Sequence, residues 1–171
     1  MPVNRGSPRP CRALEVLQLN MQHSGVCRDL MVSYLHCHSC DILLLQDTPD
    51  SLRSRFGGLP GYSLYLPSSR GGADVPSGHP LVGVLVKSSL RARPISFSNP
   101  RMCGVLLSTP LGLVACISTY IHYQRGLGIE ALSAMIPAVS EETPYILIGA
   151  DANGHSPWWG PPTRRAMLWG A

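Results

Sequence analysis

Four apolar runs in this 171-residue chain meet polar groups of one chemical kind. LEVLQL stops at Asn20, DILLLQ stops at Asp47, ISTY contains Tyr120, and YILIGA stops at Asp151 with Asn153, His155 and Ser156 close behind. In a layered fold of strands and helices, strand ends on one edge of a sheet converge on a single pocket. Such a pocket would offer carboxylate and amide oxygens, with room for water, which suits Mg2+ better than Zn2+. A divalent ion held there polarises a phosphoryl oxygen and stabilises a leaving alkoxide, and a nearby Asp orients or deprotonates the attacking water. The reaction these groups suggest is phosphodiester hydrolysis. Taken singly, each has a plainer reading as a strand cap or an Asx turn.

The elements that must position these residues follow from periodicity and punctuation. A first strand is expected over Leu14–Leu19, closed by Asn20, and a helix over 26–38, where Val26, Leu30, Met31, Tyr34 and Leu35 recur at helical spacing. Asp41–Gln46 is too short for a helix and too apolar for a one-sided strand, so a buried strand ending at Asp47 is expected. Further strands are expected at Tyr62–Leu66, Leu81–Val86, 103–107, 111–119 and Tyr145–Gly149, with Ser108-Thr109-Pro110 as a hairpin turn. A helix from Gly128 to Val139 should be broken late by Pro137. The Gly-, Pro- and Ser-rich stretch around 67–80 predicts a long exposed loop, and residues 1–12 a flexible leader. Strands mixed with helices and hairpins indicate an α/β or α+β layered fold rather than a simple alternation.

LQLN (17–20), LLLQD (43–47), STYIHY (118–123) and GADANGHSPWWG (149–160), in this order, resemble the endonuclease/exonuclease/phosphatase superfamily with its DNase I-like fold. The form D-x-N-x-H-S-P-x-W-G is most similar to the endonuclease domain of R1-clade non-LTR retrotransposons. This resemblance spans residues 14 to about 165. It implies a four-layer sandwich of two mixed β-sheets flanked by helices, and Mg2+- or Mn2+-dependent nicking of DNA for target-primed reverse transcription. Asn20 and Asp47 would hold the metal, Asp151 would act on the water, and Asn153 and Tyr120 would grip the phosphate. His155 belongs to the same motif. A reverse transcriptase domain in a longer polyprotein is the implied partner, and the nucleus the implied location.

Two departures qualify that reading. Asp47 stands where the family has Glu, one methylene shorter. The family also continues past the Trp-Gly motif to a Ser-Asp-His segment that supplies an Asp and a catalytic His, whereas this sequence stops at Ala171. An incomplete C-terminus is therefore expected, either in a degenerate copy that binds nucleic acid weakly or because the reading frame continues. A phosphatase of the same superfamily is the remaining alternative.

Composition sets the outer bounds. Hydrophobic residues make up 44% and charged residues 14%, enough for one compact domain of 13–171 and against disorder. The net charge of +4 comes largely from Arg, with Lys87 the one Lys, and Arg suits bidentate phosphate contacts. Arg70, Arg91, Arg93, Arg101 and Arg125 are candidate contacts if they share the face of the site. The Met1–Arg12 stretch has no apolar signal core, and no apolar run is long enough to span a bilayer, so an intracellular protein with free thiols is expected. His36-Cys37-His38-Ser39-Cys40 invites a zinc reading, with Cys27 and His23 as additions, but no second ligand pair follows, which favours a helix end leading into a buried strand. Trp158 and Trp159 are read mainly as packing under the motif loop. The paired glycines at 57–58 and 71–72 lack the pattern of a nucleotide-binding loop.

Overall fold

The computed structural model of the chain describes residues 13–49, 59–67, 81–121 and 127–152. Its order is β1 (Val16–Asn20), α1 (Gly25–Cys37), β2 (Ile42–Gln46), β3 (Tyr62–Tyr65), β4 (Val82–Lys87), β5 (Ala92–Ile95), β6 (Met102–Thr109), β7 (Gly112–Tyr120), α2 (Leu127–Ser140) and β8 (Ile146–Asp151). The strands form two four-stranded mixed sheets, β1-β2-β4-β3 and β5-β6-β7-β8. In each sheet one pair is parallel, β1 with β2 and β7 with β8.

Alternation along the strands divides the core into three layers. Ile42, Leu44, Val82, Val84 and Val86 of the first sheet meet Cys103, Val105, Leu107 and Cys116 of the second between the sheets. Leu43, Leu45 and Leu85 point the other way, onto Met31 of α1. Met102, Leu106, Ala115 and Ile117 point away from the first sheet and pack on Met135 and Val139 of α2. The architecture is thus helix, sheet, sheet, helix, the four-layer sandwich expected from the sequence. The unbroken run ILLLQ has every residue buried because β2 is covered on both faces.

Several local expectations needed correction. Strand β8 runs on to Asp151 instead of stopping at Gly149, because it stays paired with β7 as far as Tyr120. Strand β5 was missed, since Arg93 and Pro94 interrupt any apolar pattern; it is an edge strand, where a proline is tolerated. Helix α2 continues through Pro137 to Ser140. That proline falls near the last turn, and Met135 and Val139 on either side hold the segment against the second sheet. On α1 the buried stripe is Met31 with Cys27 and Leu35, whereas Val26, Leu30 and Tyr34 are exposed. Both stripes have helical spacing, and only contact with the sheet distinguishes them. The hairpin between β6 and β7 turns at Pro110-Leu111, one residue later than Ser108-Thr109-Pro110, with Thr109 opposite Gly112 at a φ of 117°. The leader at 1–12 and the loop at 68–80 lie outside the described residues. No helix among the described residues is long and apolar enough to cross a membrane.

Cys27, Cys37, Cys40, Cys103 and Cys116 are free thiols. Burial pushes Cys103 and Cys116 up to about 12. A thiol that holds its proton more tightly in the folded chain contributes stability below its unfolded pKa of about 8.5 and loses that contribution as pH rises through the folded value. The urea midpoint should therefore be insensitive to these groups up to about pH 8.5 and should fall above it, more gently in Cys103→Ala. An identical alkaline slope in the two proteins would show that these thiols are not the cause.

Candidate active site

Both sheets present the same end to one edge of the sandwich. The C-terminal ends of β1, β2, β7 and β8 lie there, and the parallel register sets Asn20 beside Gln46 in one sheet and Tyr120 beside Asp151 in the other. Asn20 and Asp151 both face the space between the sheets, and Asn20 Nδ2 donates to Asp151 Oδ2 at 2.6 Å. Residues 131 apart in sequence are thus joined across the two sheets at the edge where both strands end. Asn20 Oδ1 in turn accepts from the Gln22 amide at 2.8 Å, which holds the side chain from both ends. The Ile121 amide donates to the Asp151 carbonyl at 2.8 Å and keeps the strand end from fraying.

A polar floor that the sequence reading did not single out lies beneath this pair. Gln46 is fully buried, and its Nε2 donates to Ser118 Oγ at 2.9 Å and to the Gly149 carbonyl at 3.2 Å. Ser118 Oγ passes a hydrogen bond on to the Leu45 carbonyl at 2.7 Å. Gln18 Nε2 bridges to the Ala150 carbonyl at 3.0 Å. These bonds tie the sheets together beside and just below the site and hold β8 to the first sheet. Gln46 Oε1 accepts from no group among the described residues. In the sequence, glutamines at 18 and 46 inside otherwise apolar strands were the available signal, because a buried amide needs partners across the layer.

Asp47 follows Gln46 on the same edge, but its carboxylate engages a neighbour that no strand-end pattern would suggest. His23 Nε2 stands 2.7 Å from Asp47 Oδ1, and His23 Nδ1 lies 3.1 Å from the Thr48 carbonyl. The three non-glycine residues with positive φ among those described are Gln22, His23 and Asp47, at 49°, 51° and 52°. They all lie in the two loops that leave β1 and β2 at this edge. Left-handed backbone outside glycine is uncommon, and it concentrates at sites where the surrounding structure enforces it.

The candidate arginines separate. The Arg101 carbonyl accepts from the Tyr120 amide at 3.0 Å, so Arg101 sits at the edge of the site. Arg91 and Arg93 lie at the opposite end of the second sheet, near Leu107, and Arg93 pairs with Glu142 on the surface. Asn153, His155, Trp158, Trp159, Arg70 and Arg125 fall outside the described residues. The His36–Cys40 stretch closes α1: His38 stacks on Tyr34, and the Cys40 thiol donates to backbone carbonyls. A recess of about 550 Å³ lies elsewhere, between β5 and α2, lined by Ile95, Phe97, Met102, Leu106 and Met135. Its lining mixes these apolar groups with Arg93, Asn99 and Glu142 and contains neither Asp47 nor Asp151, so volume alone does not locate the chemistry.

The oxygen donors at the edge are those of two carboxylates and one amide, with the His23 ring beside Asp47, and among the described residues no three His, Cys, Asp or Glu side chains converge on one point. Such a set fits a hard divalent ion that keeps several waters and takes further oxygens from a substrate phosphate. It does not fit a closed, four-coordinate zinc centre.

A two-sheet, four-layer sandwich with polar strand ends gathered at one edge is the DNase I-like fold. The chain shares it with the endonuclease domain of TRAS1, a telomere-specific non-LTR retrotransposon, at a TM-score of 0.65 and 20% identity over 91% of this chain and 67% of that one. The human Nocturnin catalytic domain is similar at a TM-score of 0.59 and 16% identity over 83% of this chain and 64% of that one. Humanized Danio rerio TDP2 gives 0.57 and 13%, over 84% and 63%. The chain thus spans about two thirds of the length of these structures. No protein-family model matches the sequence, and no curated protein matches it. The resemblance to the endonuclease/exonuclease/phosphatase superfamily stands at the level of the fold.

Proposed function

We propose that the chain is the nuclease portion of a metal-dependent DNA endonuclease that nicks one strand and leaves a 3′-hydroxyl to prime reverse transcription. The observation that carries this reading is the 2.6 Å contact between Asn20 and Asp151 across the two sheets, at the edge shared with Tyr120 and Asp47. Its similarity in fold to a retrotransposon endonuclease domain favours DNA over a small phosphate ester as substrate. In this scheme Asp47 and Asn20 hold Mg2+, with Mn2+ as a substitute, and the bound ion supplies charge for the phosphoryl oxygen and the leaving alkoxide. Asp151 accepts a proton from the attacking water or orients it, and Asn20 Nδ2, which donates to Asp151 Oδ2 at 2.6 Å, fixes the orientation of the carboxylate. Tyr120 and Asn153 grip the phosphate, His155 lies in the same motif, and Arg101 adds a cation at the edge. A reverse transcriptase domain of the same polyprotein is the proposed partner, acting in the nucleus.

The test is conversion of supercoiled plasmid to the nicked circle with Mg2+, with Mn2+ and with EDTA, followed by polymerase extension from the nick. Nicking that needs the metal and leaves an extendable end is expected. A folded chain with no nicking above buffer in either metal would leave a non-catalytic member of the fold instead.

A further inference from the structure

The edge described above carries a nitrogen donor that the proposed oxygen set does not use. The Thr48 carbonyl can only accept, so His23 Nδ1 must carry the proton of the 3.1 Å contact. Nε2 is then the ring nitrogen that can meet a cation, and it stands 2.7 Å from Asp47 Oδ1. An imidazole nitrogen and a carboxylate oxygen this close can both ligate one ion that lies off the line between them. An imidazole whose other nitrogen donates to a backbone carbonyl is oriented as metal-bound histidines are.

The backbone holds the pair in place. His23 and Asp47 both have left-handed φ, and the His23 amide donates to the Asp47 carbonyl at 2.8 Å, while the Met21 amide donates to the Gln46 carbonyl at 2.8 Å. The two loops are therefore locked to each other, which keeps His23 Nε2 beside Asp47 Oδ1. The His23 side chain is 54% exposed and that of Asp47 19%, so a cation has access from solvent. Adjacent ligands on a six-coordinate ion, each about 2.1 Å from it, stand about 3.0 Å apart, a few tenths of an ångström wider than the pair stands here.

We infer that His23 Nε2 and Asp47 Oδ1 together form a divalent-cation site with mixed nitrogen and oxygen donors, which selects Mn2+ or Co2+ over Mg2+. This rests on the reading of Asp47 as a cation ligand and adds a ligand to it. Imidazole suits the later first-row ions, whereas Mg2+ takes oxygen almost exclusively, so the second donor changes which ion is preferred.

The experiment uses the full, tag-free chain, stripped with chelator and titrated with MnCl2 in the absence of DNA. Free Mn2+ is followed by electron paramagnetic resonance, and Mg2+ by its competition with Mn2+. His23→Gly and His23→Asn are the variants, because both residues tolerate the left-handed backbone and so keep the fold. Native chain should bind one Mn2+, and His23→Gly should bind it about 10- to 100-fold more weakly with Mg2+ affinity little changed. His23→Asn, with an oxygen donor, should lose the preference for Mn2+. Selective paramagnetic broadening of the His23 ring signals should accompany binding. Equal Mn2+ affinity in native and His23→Gly, or a His23 ring that stays doubly protonated at saturating Mn2+, would mean an ion pair only and would overturn the assignment. Because binding is read without turnover, a chain that binds Mn2+ through His23 but does not nick DNA would refute the nuclease reading and leave this one standing.

Discussion

Asp151→Ala should lower the initial rate of Mg2+-dependent plasmid nicking by about 10²- to 10⁴-fold, the usual contribution of a positioned acid–base group. The physical reason is local. The carboxylate stands at the C-terminal end of β8, where Asn20 Nδ2 donates to its Oδ2 at 2.6 Å, and in the proposed scheme it orients or deprotonates the attacking water. Removal takes away the proposed base and the partner that orients Asn20. Stability should change far less, by about 1 kcal/mol, because the contact is near the surface and water can replace it. Asp151→Asn keeps the shape and removes the charge, so it should lose nearly as much rate and even less stability. Equal nicking by native and Asp151→Ala chains, with matched thermal midpoints, would remove Asp151 from the chemistry and with it the main support for the assignment.

The second large effect concerns packing beneath that strand. Gly149 lies on β8 opposite Leu44 of β2, where a Cβ would come 2.7 Å from Leu44 Cδ1, 3.0 Å from Leu44 Cβ and 3.2 Å from Gln18 Oε1. Gly149→Ala should therefore destabilise by about 1–3 kcal/mol through overpacking, and should disturb Gln18 and with it the Ala150 carbonyl. Leu44→Ala opens a cavity in the layer between the sheets and should cost about 2–5 kcal/mol. In the double variant the alanine at 149 enters space that Leu44 Cδ1 has vacated. The combined loss should fall short of the sum by roughly 0.5–2 kcal/mol, measured by urea unfolding of all four proteins. Strict additivity would mean that the two strands do not pack as closely as these distances require. Nicking should fall in Gly149→Ala beyond what unfolding explains, since the strand that carries Asp151 must shift.

The sequence was sufficient for the layers and for most of the strands. DILLLQ reads as a strand buried on both sides because an unbroken apolar run of that length has no polar face to turn to water. β5 was not legible, because an edge strand with one weakly covered face can hold Arg93 and Pro94 without penalty. On α1 the pattern contained two apolar stripes, and Val26, Leu30 and Tyr34 proved to be on the solvent side. Periodicity identifies a helix but not which of two equivalent stripes meets the sheet. Pro137 was overrated as a breaker, since tertiary contacts of Met135 and Val139 outweigh one missing hydrogen bond near a helix end.

Residue type and position at strand ends were enough to expect Asn20, Tyr120 and Asp151 at one edge of the sandwich, because a polar group that closes an apolar strand is delivered to the sheet edge. Their pairing was not contained in that pattern. That Asn20 reaches Asp151 rather than Asp47, that Gln46 and Ser118 bind the sheets together beneath them, and that His23 faces Asp47, all depend on how two separate sheets are stacked and registered. Local sequence determines which way a side chain leaves its own strand. Which side chain it meets across the layer is decided only when the tertiary packing brings distant strands to the same height, and the chemistry proposed for this edge lies in those meetings.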